Sequence, residues 1–160
     1  MKIRSEQIDA FEPQADEVFI DSVEEHLMEE EAETTVRLPL HTCTVEEVPG
    51  DVLRQMIRNG IRRARSYGLT WESSLFGFIW FMFEVAPNFD EHPLIRRILA
   101  SNIQPEDRRI DLLWEQISDA NWEAVESDYD PNAWDVEYHE DYPDIPPDFF
   151  IFPPQPSESE

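Results

Sequence analysis

The sequence predicts an all-α protein: a compact bundle of about five helices in residues 1–126, followed by an acidic, aromatic and Pro-rich C-terminal tail in residues 127–160. Three observations lead to this prediction. Apolar residues recur at helical spacing in several segments. Only four glycines occur among the 160 residues, which disfavours turn-rich β architectures. After residue 126 prolines become frequent and no basic residue occurs.

The first helical region spans residues 5–29, where apolar residues such as Ile8, Phe11 and Val18 share one face and acids fill the other. Pro13 marks either a break between two helices or the first turn of the longer one. Residues 29–50 lose the periodicity. They are predicted to form a connecting loop, with room for a short extended piece around "TTVRLPL".

The next predicted helix covers residues 51–67, and Gly68 supplies the left-handed residue that commonly ends a helix. Thr70 is the predicted N-cap of a central helix over residues 71–85, which is apolar almost all round. The buried stripe of the earlier helix consists of Leu53, Ile57, Ile61 and Ala64.

Two further helices complete the predicted bundle. A short one begins at Pro93, and a last one opens at Pro105 and runs to about residue 126. The predicted core face of the last helix consists of Ile110, Leu113, Trp114, Ile117 and Ala124.

Charge is unevenly distributed along a chain whose formal net charge is −24. Residues 49–109 hold nine bases and seven acids, whereas residues 110–160 hold fifteen acids and no base. Such a field repels nucleic acid and anionic membranes and favours basic partners. We therefore expect neither nucleic acid nor membrane as a partner.

The compartment is predicted from three further features. The longest apolar run, residues 75–86, is shorter than the roughly 20 residues of a membrane span. The amino terminus has no apolar stretch of signal-peptide type, and the single cysteine, Cys43, suits a reducing compartment. The sequence therefore predicts a cytoplasmic protein.

Four arginines repeat on one face of the predicted helix 51–67, and two interpretations stay open. The stripe either forms a recess for an anion or an acidic segment, or pairs with the protein's own acids from the first helix or the tail. The excess of 36 acids over 12 bases favours internal pairing. The arginines are Arg54, Arg58, Arg62 and Arg65.

The tail combines carboxylates with large rings and is the main predicted partner-binding segment. Acids steer a basic partner toward the protein, and buried rings then anchor it. A solubilising extension, or a strap folded over the arginine face, is the alternative. The predicted binding residues are Trp134, Asp135, Glu137, Tyr138, Glu140, Asp141, Tyr142, Phe149, Phe150 and Phe152.

No motif indicates a metal, a cofactor or catalysis. The run "DYDPNAWDVEYHE" resembles a calcium loop, but Ala133 and His139 stand where glycine and glutamate are needed. His41 and Cys43 have no second pair at zinc spacing, and no glycine-flanked serine elbow occurs. The sequence therefore predicts a non-enzymatic protein with no metal site and no cofactor.

One part of the chain resembles a known family. The start "MKIRSEQIDAF" and the stretch "IRNGIRRARSYGLTWESSLFGFIWFMFEVAPNFDEHPLIRRIL" resemble small helical bacterial proteins encoded beside type VI secretion spike and effector genes. The similarity covers roughly the first 125 residues, with Ala86 in place of a usual glycine and a different segment at residues 29–50. It implies a helical bundle and a genomic context, and it carries over no catalytic residue.

These observations together predict an accessory protein that binds a secreted effector with a basic surface, or its spike carrier, as a chaperone or adaptor. An immunity protein that neutralises a basic toxin, possibly a nuclease, is the first alternative. A DNA mimic that inhibits DNA-binding proteins is the second.

Overall fold

The computed structural model describes residues 13–136, and this part of the chain is mostly helical. Its helices are α1 (Pro13–Glu30), α2 (Gly50–Ser66), α3 (Glu72–Glu84), α4 (Pro93–Leu99), α5 (Asp107–Gln116) and α6 (Asp119–Ser127). Strands β1 (Thr35–Arg37) and β2 (Thr42–Thr44) form a small antiparallel sheet, and single 3-10 turns lie at Val45–Glu47, Phe89–Glu91 and Pro131–Trp134. The predicted helical class is confirmed, but the hairpin makes the fold not purely α.

The β1–β2 hairpin occupies part of the segment that the sequence predicts to be a loop. Val36 pairs with Cys43 across the sheet, and both side chains are buried in the core. The extended piece expected near "TTVRLPL" is thus present at β1. Its partner strand was not predicted, because a three-residue strand is too short to show a period-two pattern.

Helices α2 and α3 pack against each other inside the core, and Gly60 lies where they approach most closely. A Cβ atom at Gly60 would lie 2.8 Å from Ile79 Cγ1 and 3.0 Å from Met82 Sδ. The absence of a side chain at this position therefore allows the two helices to come together.

The start of α3 differs from the prediction. Trp71, not Thr70, is the N-cap residue, and its side chain makes no capping hydrogen bond. The buried carboxylate of Glu106 instead accepts hydrogen bonds from the backbone N–H groups of Thr70 and Trp71, at 2.7 Å each. A distant acid thus satisfies donors that a local cap usually satisfies.

The last predicted helix is two helices, α5 and α6. Ile117 has extended backbone, and the Ser118 hydroxyl accepts a hydrogen bond from the N–H of Asn121 at the start of α6. This break changes the face that later residues present. The prediction that Trp114 and Ala124 lie in the core is wrong, since both are exposed. Ala124 follows the break, whereas Trp114 precedes it and lies beside the α5 face that buries Leu112 and Leu113.

Among the helices of residues 13–136, none combines the length and the hydrophobicity that a bilayer span requires.

The substitution Gly60→Ala tests the close approach of α2 and α3. We expect it to lower the free energy of unfolding by about 1–3 kcal/mol, because its methyl group must displace Ile79 and Met82. Gly50→Ala is the matched control, since its Cβ atom would meet only the Glu24 carboxylate, at 4.0 Å. Urea unfolding of both variants measures the difference, and equal stabilities would contradict the packing described.

Candidate functional site

The arginine face of α2 lies against the acidic face of α1. Arg54 contacts three carboxylates, those of Glu17, Asp21 and Glu24, at 2.7, 2.9 and 2.6 Å. Arg58 also binds Glu17, at 3.0 Å, and hydrogen bonds from Arg58 and Arg54 lower the pKa of Glu17. The structure therefore pairs these bases with the protein's own acids.

The two remaining arginines of the stripe complete this pattern. Arg65 forms two hydrogen bonds to the Asp16 carboxylate, at 2.9 and 3.2 Å. Arg62 binds Asp135, at 3.1 Å, from the start of the predicted tail. Both acidic regions that the sequence offered as internal partners, the first helix and the tail, thus contribute to the pairing.

Trp134 lies inside the protein. Its side chain is 0% exposed and its ring packs on Phe83, with centroids 4.8 Å apart. The indole N–H donates to the Arg37 carbonyl, at 3.1 Å, and to the Tyr129 hydroxyl, at 3.0 Å. This tryptophan, predicted to bind a partner, has no surface to offer one in this structure.

The chain is held at this point by Asn59 of α2. Its amide donates to the carbonyls of both Trp134 and Asp135, at 2.7 Å each. The chain therefore stays packed on the bundle beyond residue 126. The other predicted binding residues lie outside the described part: Glu137, Tyr138, Glu140, Asp141, Tyr142, Phe149, Phe150 and Phe152.

Several residues that carry the family resemblance have structural contacts. Arg63 donates to the Asp90 carboxylate and to the Pro87 carbonyl, and the Tyr67 hydroxyl donates to Asp90 at 2.8 Å. Burial, and then the charge of Asp90, raises the pKa of Tyr67 to about 12, so its phenol remains a donor. These hydrogen bonds join α2 to the segment that follows α3.

An exposed cluster of aromatic rings lies on α3, α5 and α6. Trp114 is 57% exposed, and its ring centroid lies 5.1 Å from those of both Trp80 and Phe81. Trp122 also packs on Phe81. Their ring centroids lie 5.2 Å apart and their planes differ by only 7°. Trp80 and Trp122 are half-buried, so three indoles reach the surface together.

Acids surround these rings along α5 and α6. By helical spacing Asp111 lies one turn before Trp114, and Asp119 lies one turn before Trp122. The exposed acids of the two helices are Asp111, Glu115, Asp119, Glu123 and Glu126, and Arg108 pairs with Glu115 at 2.9 Å. We call Trp80, Trp114, Trp122 and these acids the tryptophan surface.

The tryptophan surface was not predicted, because Trp114 shares helical spacing with the buried residues Ile110, Leu113 and Ile117. In α5 the buried face includes Leu112 and Leu113, and Trp114 lies beside it. The start of α6 could have been predicted, since serine followed by aspartate is a common helix start.

Two carboxyl groups meet beside Trp80. Burial, together with the neighbouring Glu31, raises the pKa of Glu84 to about 7. The hydrogen bond from Glu84 lowers the pKa of Glu31, which also accepts hydrogen bonds from Trp80 and from Thr34, the latter at 2.9 Å. The surroundings therefore favour the protonated form of Glu84, which donates a hydrogen bond to Glu31.

The candidate metal ligands have other roles in the described residues. Asp130 accepts a hydrogen bond from the N–H of Asn132, at 3.0 Å, which caps a 3-10 turn, and His139 lies outside the described part. Cys43 is buried, and desolvation raises the pKa of its thiol to about 12. Within residues 13–136 there is no group of three or more His, Cys, Asp or Glu side chains placed to bind a metal ion.

Comparisons of the chain with protein-family models, characterised proteins and solved structures find no match. The class of protein is therefore defined by its own features. It is an acidic, mostly helical protein that carries an exposed tryptophan surface.

The Glu31–Glu84 pair predicts a specific pH dependence of stability. Since the folded chain raises the pKa of Glu84 from 4.5 to about 7, its stabilising contribution is complete below pH 4.5 and is lost as the pH rises to 7. Glu84→Gln keeps a donor toward Glu31 without the ionisation. Because solvent screens this half-buried site, we expect a gain on the order of 1 kcal/mol at pH 7.5, about 3 °C in Tm.

Thermal unfolding at pH 7.5 and pH 5 measures this effect, and the gain should shrink at the lower pH. Glu123→Gln makes the same change of charge on the exposed face of α6 and is the matched control. A gain that is equal at both pH values, or equal in the two variants, would contradict the raised pKa of Glu84.

Proposed function

We propose that this protein is a non-enzymatic adaptor or chaperone that binds a basic protein through the tryptophan surface. The observation that carries the proposal is the 57% exposure of Trp114 on top of packed rings. A large ring fixed by its neighbours loses little conformational entropy when a partner covers it. Tryptophan is also the residue type most enriched among interface positions that dominate binding energy.

Charge supports a basic partner. No base follows Arg109 in the sequence. Among the described contacts, only one exposed acid of α5 and α6 forms an ion pair, that of Glu115 with Arg108. Uncompensated carboxylates accelerate the approach of a basic protein, while the indoles supply apolar contact area. A nucleic acid would meet the same repulsion at every acid.

The buried polar groups of the described part support a binding role over a catalytic one. Each of these groups forms hydrogen bonds or an ion pair that hold the fold together. They are Asn59 with the carbonyls of residues 134 and 135, Ser74 with Asp107, Asp90 with Arg63 and Tyr67, Glu106 with the start of α3, and Arg109 with the carbonyls of Tyr67 and Leu99.

The resemblance supplies the class of partner. Proteins encoded beside type VI secretion genes meet effectors and spike carriers before export, so the proposed complex forms in the cytoplasm. The protein would cover an apolar or basic surface of the effector until loading. An immunity protein would use the same surface to block a toxin, and the activity of the bound partner separates these two roles.

Trp114→Ala tests the proposal, with Trp71→Ala as its matched control. Trp71 is also an exposed tryptophan, 45% exposed, but it lies outside the ring cluster. We expect Trp114→Ala to weaken binding of the partner about 30-fold, the effect of losing about 2 kcal/mol of contact, and Trp71→Ala to leave it unchanged. Full-length tagged protein captures the partner from its native cells, and calorimetry with the purified partner gives both affinities.

The outcomes distinguish the proposed roles. Greater solubility or delivery of an effector that stays active supports an adaptor, whereas inhibition at equimolar ratio supports an immunity protein. Equal affinities of the two variants contradict binding at the tryptophan surface. Capture of only assorted DNA-binding proteins, all released as salt rises, contradicts a specific partner and indicates a DNA mimic.

A further inference from the structure

A groove of about 340 Å³ runs between α1 and α2 on the arginine face. Its lining combines apolar and charged side chains: Asp16, Glu17, Ile20, Arg58, Ile61, Arg62 and Arg65. Three of the protein's twelve bases line this groove, and each forms an ion pair: Arg58 with Glu17, Arg62 with Asp135 and Arg65 with Asp16. Although Arg58 and Arg62 each bind one acid, their side chains stay 46% and 62% exposed.

We propose that this groove binds the protein's own C-terminal segment, residues 137–142. The proposal goes beyond the proposed function, because it concerns a different surface from the tryptophan surface. The proposed occupant, residues 137–142, directly follows Val136, the last residue that the structure describes.

The position where the described chain ends supports this occupant. Asp135 has a left-handed backbone, with φ of 56°, and its carboxylate binds Arg62 on the edge of the groove. Asn59 fixes the same peptide from the interior. The chain therefore reaches the groove before residue 137.

The length of the segment matches the groove. Residues 58 to 65 of α2 span about 10 Å along the helix axis at 1.5 Å per residue. Six extended residues cover about 20 Å at 3.3 Å per residue, so residues 137–142 can pass the whole arginine row.

The chemistry of the segment complements the lining. Glu137, Glu140 and Asp141 supply acceptors for guanidinium groups, and Tyr138 and Tyr142 supply rings for the apolar floor. The segment contains no base. The N-terminal residues 1–12, the other segment adjoining α1, include Lys2 and Arg4 and fit a groove lined by arginines less well.

Methyl NMR of the full-length chain tests the occupant directly. Ile20 and Ile61 line the groove, and Ile95 of α4 is a buried reference outside it. Replacing both tyrosines (Tyr138→Ala with Tyr142→Ala) removes the rings from the groove. We expect the Ile20 and Ile61 methyl resonances to shift, while the Ile95 resonance stays in place.

Matched variants make the result decisive. Phe149→Ala with Phe150→Ala removes two rings from the same tail and should leave all three methyl groups unchanged. The proposal is overturned if the tyrosine variant shifts nothing, or if the groove methyls respond to the phenylalanine variant or to Phe11→Ala instead. Shifts that depend on protein concentration would assign the groove to a second copy and would also overturn it.

A second measurement tests the charge contact. We expect Arg62→Glu to speed chymotrypsin cleavage after Tyr138 at least fivefold, because the repelled segment leaves the groove. Arg97→Glu changes the net charge equally at an exposed position of α4 and should not change the rate. Equal cleavage rates in the two variants would contradict the docking.

Discussion

The pairing of α2 arginines with α1 carboxylates is the interaction on which the rest of this structure depends. In a chain with three acids for every base, the acidic face of α1 packs against the face of α2 that carries arginines. Arg54 joins the two faces at one point, since it contacts three carboxylates and is only 22% exposed. The same helix then binds Asp135, so a single basic element joins the beginning and the end of the described chain.

Helices α5 and α6 differ from α2, because they carry many acids and no base follows Arg109. Acids there remain largely uncompensated and surround Trp114, whose ring packs on its neighbours but stays exposed. The protein therefore has one acidic surface that its own arginines neutralise and another on which only Glu115 pairs with an arginine among the described contacts. Glu31, which is hydrogen-bonded to Glu84, also accepts a hydrogen bond from Trp80 of the second surface.

The sequence predicts the fold best for helices in which buried residues recur at helical spacing without interruption. The stripe of α2 and the apolar surface of α3 place both helices correctly, because burial repeats with the helical period. The prediction was wrong at Trp114, which shares the spacing of the buried α5 residues but lies beside their face, and it missed the burial of Trp134. Trp134 is held by hydrogen bonds that no periodic stripe shows: its carbonyl accepts from Asn59, and its indole N–H donates to the Arg37 carbonyl and the Tyr129 hydroxyl. Glu106 shows the same limit, since it caps a helix 35 residues earlier.

The most direct test of the central claim is the cost of removing the Arg54 charge, measured as the free energy of urea unfolding. Arg54→Gln and Arg97→Gln change the net charge equally, but only Arg54 lies among three carboxylates. The account predicts that Arg54→Gln costs about 2 kcal/mol, the scale of charged hydrogen bonds, and that Arg97→Gln stays within about 0.5 kcal/mol. Equal small losses would contradict the claim that the arginine pairing holds the acidic helix α1 against α2.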